Sequence, residues 1–428
     1  MKRQVAISDL RIGMYVAELD RPWLETPFLF QGFEVRSNED LDTLKRYCQY
    51  VYVLDQDSLG RPSGRGAENP RPAGSRTADD RDAPVATEAD LLRLTNHPSA
   101  RAIYPDRTTV EEEITRVTDT VRTANTYCQQ MFEDARLGRA LDIPQAKQVV
   151  GEMADSVLRN PDALTCFTLL KKKDAYTAEH SLRVAVLALI FGRHLGFERD
   201  MLYVLGLGAL LHDVGKALVP LDILNKPKAL DAKEIEIMKN HVSWGLELLD
   251  GISGIPPSAL EVVRCHHERY DGHGYAGKLS GATIGTFGMI GAIVDTYDAL
   301  TSDRVYRAGL SPHTALKRMY EQRATAFHSQ LAEQFIQCLG IYPVGSIVQL
   351  NTREVGVVAG LNRERRLKPY LVLARRADNT PYPAMPAANL STRTTREGRP
   401  CEIERVLEPA DCGINPAYFL PVPALSVG

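Results

Sequence analysis

"VLGLGALLHDVGK" runs from Val204 to Lys216 and reads as an apolar helix that ends in a polar pair, His212 and Asp213. A second apolar helix, "FGMIGAIVDTYDAL" from Phe287 to Leu300, places Asp295 among core residues. Burying an unpaired carboxylate costs several kcal/mol, and a metal ion relieves that cost. The same helical block carries His180 in "DAYTAEHSLRVA", His241 in "IMKNHVSWG", and the adjacent His266 and His267 in "HHERYDGHGYAG". One histidine on an apolar helix is usually a satisfied core residue. Five histidines and two aspartates, each at the end or on the inner face of an apolar helix, do not fit that description together.

Imidazole and carboxylate without thiolate suit Fe, Mn, Zn, Co or Ni. A mononuclear catalytic site needs about three protein ligands and an open position for water. Seven candidates fit a binuclear site with one bridging carboxylate. Two metals a few Å apart can bind a phosphate, acidify a bridging water and stabilise the leaving oxygen, so the residue set points to phosphoester hydrolysis. His266 and His267 can both serve one cluster if the helix ends there. The "DGHG" that follows is a helix-stop signal. His273, inside that turn, reads as a loop histidine, and Cys265, beside His266, as a buried thiol.

The chain has 428 residues, 44% hydrophobic and 25% charged, as expected of a soluble protein with two or three domains. A net charge of -3 provides no basic field for a nucleic acid polymer or an anionic membrane. No stretch reads as a membrane span of about 20 apolar residues. The start, "MKRQVAISDLRIGMYV", has no apolar signal region. Seven scattered cysteines without a C-x-x-C point to a reducing cytoplasm and argue against a zinc ribbon.

Residues 1–55 read as a small α+β unit, with strands in "QVAISDL", "MYVAEL" and "YVYVL" and a helix capped by Ser37. "RPWLETPFLFQGF" concentrates Trp23 and three phenylalanines, as the core of such a unit would; a partner surface is the functional alternative. Residues 56–106 are rich in Gly, Pro, Arg, Asp and Ser and read as a flexible linker. Helical periodicity begins at Thr108 and continues to about Leu339; "KKK" at 171–173 reads as exposed helix. After Tyr342, "VGSIVQLN", "VGVVAGLN" and "YLVLARR" read as short strands of a C-terminal β appendage, residues 342–428.

"HDVGK", "NKPKALDAKEIEIMKNHVSWGLELL", "HHERYDGHGYAG" and "DTYDALTSDRVYR", in that order between about Leu164 and Leu339, resemble the HD-GYP domain of the HD metal-dependent phosphohydrolases. The first 55 residues are similar to a domain of unknown function that precedes HD-GYP domains in many bacterial proteins. The resemblance implies a mainly α multidomain protein, with an all-α catalytic domain over residues 107–341 whose helices surround a metal cluster. The implied activity is hydrolysis of the bacterial second messenger cyclic di-GMP to pGpG, GMP or both. The implied ligands are His180, His212, Asp213, His241, His266, His267 and Asp295, with Asp213 bridging two divalent ions, iron or manganese. Lys216 matches a lysine that contacts substrate phosphate, and Arg304 and Arg307 match basic positions that bind the nucleotide.

Two positions depart from the family pattern. Gly274-Tyr275-Ala276 stands where the signature reads Gly-Tyr-Pro. The proline is not a ligand, so the chemistry is expected to survive; its fixed φ is lost, and with it the loop's expected rigidity and its contact with diguanylate cyclase domains. Tyr176 stands where some members place a glutamate for a third metal, so two metals are expected. Two further readings use the same residues: a cyclic di-GMP receptor or scaffold with little turnover, and an HD hydrolase of another nucleotide such as linear pGpG or cyclic GMP-AMP. The helices from 108 to 160 could pair with a second copy.

Overall fold

The computed structural model describes residues 2–20, 33–35, 38–54, 104–169, 176–303, 309–363 and 365–420. The chain forms two compact units, Met1–Asp79 and Asp80–Gly428.

The first unit contains β1 (Lys2–Ala6), β2 (Tyr15–Leu19), β3 (Phe33–Glu34), α1 (Asn38–Tyr47) and β4 (Tyr50–Leu54). The strands form one antiparallel sheet in the order β1-β4-β2-β3. Alternation along β4 buries Val51 and Val53 on one face, where they meet Val5, Val16, Val35 and Leu44 of α1. Ser37, the expected linker up to residue 103, the lysine run at 171–173 and nearly all of "RPWLETPFLFQGF" lie outside the described residues.

The second unit opens with α2 (Val110–Arg136). Thr109 caps it: its hydroxyl accepts from the Glu112 N–H and its own N–H donates to the Glu112 carboxylate. Then come α3 (Ile143–Arg159), α4 (Pro161–Thr168), α5 (Tyr176–His194) and α6 (Arg199–Leu211). Every residue of α6 from Val204 to Leu211 is buried, because α3, α5 and a later helix, α10, enclose it. Arg199–Leu218 is long and apolar enough to cross a membrane by composition, a feature the sequence reading missed. The stretch is 78% buried within the protein, and α6 gives way to a 3-10 turn, Val214–Leu218, after Asp213.

Next are α7 (Leu221–Leu224), α8 (Ala232–Lys239), α9 (His241–Leu249), α10 (Pro257–Cys265), α11 (Thr286–Thr301), α12 (Pro312–Glu321) and α13 (Ser329–Leu339). Two close approaches fix the layout. A Cβ on Gly208 would lie 2.3 Å from the carbonyl oxygen of Ala259 on α10. A Cβ on Gly215 would lie 1.9 Å from the carbonyl oxygen of His241 on α9. Backbone therefore packs directly on backbone where α6 and its turn meet the neighbouring helices.

The same unit ends in an antiparallel sheet of β5 (Ile347–Leu350), β6 (Val355–Gly360), β7 (Tyr370–Arg375), β8 (Ala387–Asn389) and β9 (Ile403–Leu407), in the order β8-β7-β6-β5-β9. Ile347 and Val348 point to opposite faces, and each face has its own apolar cluster. The sheet is tied to the helices by charge: Arg363 grips Asp162 at 2.8 Å and also pairs with Asp106. Glu408 accepts from the hydroxyls of Ser311 and Thr314 at 2.7 and 2.6 Å.

Candidate metal centre

The seven expected side chains converge from five elements. His180 comes from the first turns of α5, His212 and Asp213 from the end of α6, and His241 from the first residue of α9. His266 and His267 follow the end of α10, and Asp295 lies inside α11. They form two groups, Asp213–His241–His266–His267 and His180–His212–Asp295. Within each group one ligand-type atom per residue lies within 4.8 Å of every other, close enough to surround one ion. All are buried except His267, whose side chain is 23% exposed.

Asp213 faces both groups. Its Oδ1 lies 3.3 Å from Nε2 of His241 and 3.6 Å from Nε2 of His266. Its Oδ2 lies 3.4 Å from Nε2 of His180 and 3.3 Å from Nε2 of His212. Burial alone would raise the Asp213 pKa, but His212, Lys216 and the hydrogen bond from His180 outweigh it and hold the carboxyl well below its usual range.

The imidazoles are oriented from behind. The Nδ1–H groups of His212 and His241 donate to the carbonyls of Ala209 and Met238 at 2.7 and 2.6 Å. That of His266 donates to Val263 and Val262 at 3.0 and 3.1 Å. Each bond selects the tautomer that turns an unprotonated Nε2 toward the centre. Burial lowers the His241 pKa to about 3, with help from the charges of Lys216 and His266. His267 is likewise held well below its ordinary value by burial and by the neighbouring His266. His212 is lowered by burial too.

His180 behaves differently. Burial opposes its charged form, yet hydrogen bonds with Asp213, Asp295 and Asp298 prevail and raise its pKa well above the ordinary value. In the folded protein without a metal, a proton on His180 balances the carboxylates; a bound cation would take over that role.

Do these residues suit metal ions? Nε2 of His212 and Oδ1 of Asp213 are fully buried and make no hydrogen bond. Buried polar atoms rarely remain so without a partner, and these two lie within the two groups. Hard carboxylates beside borderline imidazoles suit first-row divalent ions. Seven donors with one shared carboxylate suit a pair.

The sequence reading missed Asp298 and Arg183. Asp298 is one helical turn beyond Asp295, and Arg183 one turn beyond His180. The Asp298 carboxylate accepts from Nδ1–H of His180 at 2.7 Å and from Nε–H and Nη2–H of Arg183 at 2.7 and 2.9 Å. The signal available in the sequence was the i, i+3 spacing of two aspartates in an apolar helix. Also missed was Glu268. Its buried carboxylate accepts from the N–H groups of Gly277 and Leu279 at 2.6 and 3.1 Å and so ties down the glycine-rich loop. The Tyr275–Ala276 peptide bond in that loop is cis, and the Tyr275 ring stacks on His267 with centroids 4.5 Å apart.

Lys216 donates from Nζ to Oδ2 of Asp213 and is partly exposed. His273 is 82% exposed, has Asp271 beside it and belongs to neither group. Cys265 is buried, its thiol pushed up to about 12 by burial, and it too belongs to neither. Glu179 faces Arg183 at 3.5 Å. The side chain of Tyr176 and the whole of Arg304 and Arg307 lie outside the described residues.

Two family models match the chain. One is described as a domain of unknown function (DUF3391) and covers residues 2–146. The other is described as an HD domain and covers residues 165–331. The cyclic di-GMP phosphodiesterase PA4108 of Pseudomonas aeruginosa is 34% identical over 370 residues, 86% of this chain and 84% of that protein. The cyclic di-GMP phosphodiesterase response regulator RpfG of Xanthomonas campestris is 32% identical over 46% of this chain and 53% of its own. A 3'3'-cGAMP-specific phosphodiesterase of Vibrio cholerae is 33% identical over 38% of this chain and 31% of its own. A solved HDG"Y"P protein from Bdellovibrio bacteriovorus aligns over 78% of this chain and 98% of its own at 15% identity, with a TM-score of 0.45.

Proposed function

The chain belongs to the HD-GYP family of metal-dependent phosphohydrolases, and on that premise we propose that it hydrolyses cyclic di-GMP to pGpG, GMP or both. The relative from Pseudomonas aeruginosa carries that activity in its name and is matched over most of both chains. The observation that supports the chemistry here is the Asp213 carboxylate, which turns one oxygen toward each of the two groups.

The proposed ligands are His241, His266 and His267 for one ion and His180, His212 and Asp295 for the other, with Asp213 shared. Iron or manganese is the proposed pair. Ions held there would bind the phosphodiester, acidify a water and stabilise the leaving oxygen. The protein's own work is orientation. Backbone carbonyls and Asp298 fix the imidazoles, and Glu268 fixes the loop that carries Tyr275 over His267. Lys216 is proposed to take a phosphate oxygen of the substrate with its ammonium, where negative charge grows during cleavage. Arg304 and Arg307 are proposed to hold the rest of the nucleotide. Residues 107–341 are the proposed catalytic domain, with residues 1–55 as a regulatory domain, 56–106 as a linker and 342–428 as the β-rich end.

Cyclic GMP-AMP is the competing substrate, because a relative matched over the same helical block is named for it. A cytoplasmic location goes with an intracellular messenger and with cysteines that are all free thiols. A homodimer and a contact with diguanylate cyclase domains through the Gly274–Gly277 loop are separate proposals, to be tested by sedimentation and by pull-down.

The test is anaerobic purification, metal analysis, and chromatography of cyclic di-GMP and 3'3'-cGAMP incubated with Mn²⁺ or Fe²⁺. Metal-dependent conversion of cyclic di-GMP that Asp213→Ala abolishes supports the reading. Binding of nucleotide without cleavage, with two metals per chain, replaces it with a receptor. Preference for 3'3'-cGAMP replaces the substrate.

A further inference from the structure

On the far side of α11 from the metal centre lies a cavity of about 310 Å³, between the helices and the C-terminal sheet. Its volume is at the lower end of the range for small-molecule sites. One wall is apolar, with Leu187, Ile190 and Leu339; another carries the guanidiniums of Arg193, Arg363 and Arg366. Tyr297, Asp298 and Thr301 of α11 also line it. Asp298 is thus common to the cavity and to the hydrogen bond that orients His180.

Two independent features mark this as a built site. Arg193 is only 8% exposed, and although its Nη2 donates to Tyr104 and Asp106, its Nε makes no hydrogen bond. A buried guanidinium N–H without an acceptor is uncommon and is satisfied by an oxygen brought from outside. The second feature is charge. On and directly behind the wall, four guanidiniums (Arg183, Arg193, Arg363, Arg366) meet three carboxylates (Asp106, Asp162, Asp298). One positive charge is left over, which matches a monoanion better than a phosphate dianion.

We propose that this cavity binds a small organic carboxylate with an apolar body, at a site separate from the metal centre. The carboxylate takes the Arg193 side and the apolar body lies along Ile190 and Leu339. The planar fork of arginine suits a planar carboxylate, and the apolar wall excludes a bare inorganic anion.

The probe is 2-naphthoate, with 2-naphthamide as its neutral counterpart of the same shape. Isothermal titration of the metal-loaded full chain should give saturable one-site binding of the acid, with the amide at least tenfold weaker. Arg193→Gln should weaken the acid at least tenfold. Because Arg193 also ties down Tyr104 and Asp106, a second variant, Thr165→Phe, fills the cavity from its wall and should abolish binding while unfolding at the wild-type temperature. Asp213→Ala should bind as wild type does. No saturable binding, equal binding of acid and amide, or loss of binding in Asp213→Ala would each overturn the proposal, the last by moving the carboxylate to the metal centre. Cleavage of cyclic di-GMP plays no part in the readout, so the site and the activity stand or fall separately.

Discussion

His180 and Asp298 meet across the α5–α11 interface, with Nδ1–H donated to Oδ2 at 2.7 Å, while Arg183 holds both oxygens of the same carboxylate. Partners of this kind, behind a ligating histidine, raise its basicity and fix its ring. Their removal typically costs about 10–100-fold in metal affinity or activity. Asp298→Asn should lose on that order, measured by competition with a chelator and by turnover. Asp298→Ala should also lose about 3–5 kcal/mol of stability, because Arg183 is left buried without its partner. Wild-type affinity and turnover in the Asn variant would remove Asp298 from the orienting role.

Lys216 separates substrate contact from metal support. Lys216→Met keeps the stem and removes the charge. Turnover should fall by about 10²-fold, the scale for losing one electrostatic contact to the transition state. Metal content should stay at the wild-type level. A variant that loses its metals in proportion to its activity would show that Lys216 serves Asp213 instead.

Gly215 sets the distance between the turn after α6 and the start of α9. Gly215→Ala puts a methyl carbon where the His241 carbonyl stands, so the turn and α9 must part. Overpacking of this kind costs about 1–3 kcal/mol and sometimes more. Urea unfolding should show that loss, and activity should fall with it, since α9 carries His241. An unchanged unfolding midpoint would mean the contact relaxes freely.

The acid side of the stability profile depends on His241. Its folded pKa of about 3 lies below the ordinary value near 6.5. Between those values the unfolded chain takes a proton that the folded one refuses, so this group's contribution is present above pH 6.5 and lost as pH falls. The slope is at most about 1.4 kcal/mol per pH unit. His180, raised well above its ordinary value, acts in the opposite sense at higher pH: its contribution is present at low pH and fades as pH rises through its folded pKa. Chelator-treated wild type and His241→Gln should therefore differ in slope between pH 7 and 5, with the variant flatter. Equal slopes in urea unfolding would show that His241 is not held neutral.

The metal-ligand residue types could be read from the sequence because each sits at the edge of an apolar helix, where a charged or ionisable group is expensive without a partner. The helical block and the strands at Ile347–Leu350, Val355–Gly360 and Tyr370–Arg375 were readable from their periodicity for the same reason: one repeating pattern decides burial. Asp298 and Arg183 were not readable, because each is explained only by the other, across two helices 115 residues apart in the chain. Glu268 was hidden because its partners are backbone N–H groups, which no residue type reveals. Strand Ile403–Leu407 escaped because it buries no continuous face and is recognised only through its pairing with Ile347–Leu350. The membrane-like composition of Arg199–Leu218 was overlooked because glycines dilute it.

The burial of the centre also bears on how ions get in. Six of its seven side chains are sealed between helices, and the partly exposed His267, under the Tyr275 ring, is the one place where solvent reaches the set. An ion that leaves by that route must shed six neighbours held from behind by backbone carbonyls and carboxylates. Exchange is therefore slow compared with turnover, and the choice between metals is made while the chain folds around them. The supply of ions in the cell at that moment, more than the equilibrium preference of the finished site, then sets which metal each molecule keeps for its lifetime.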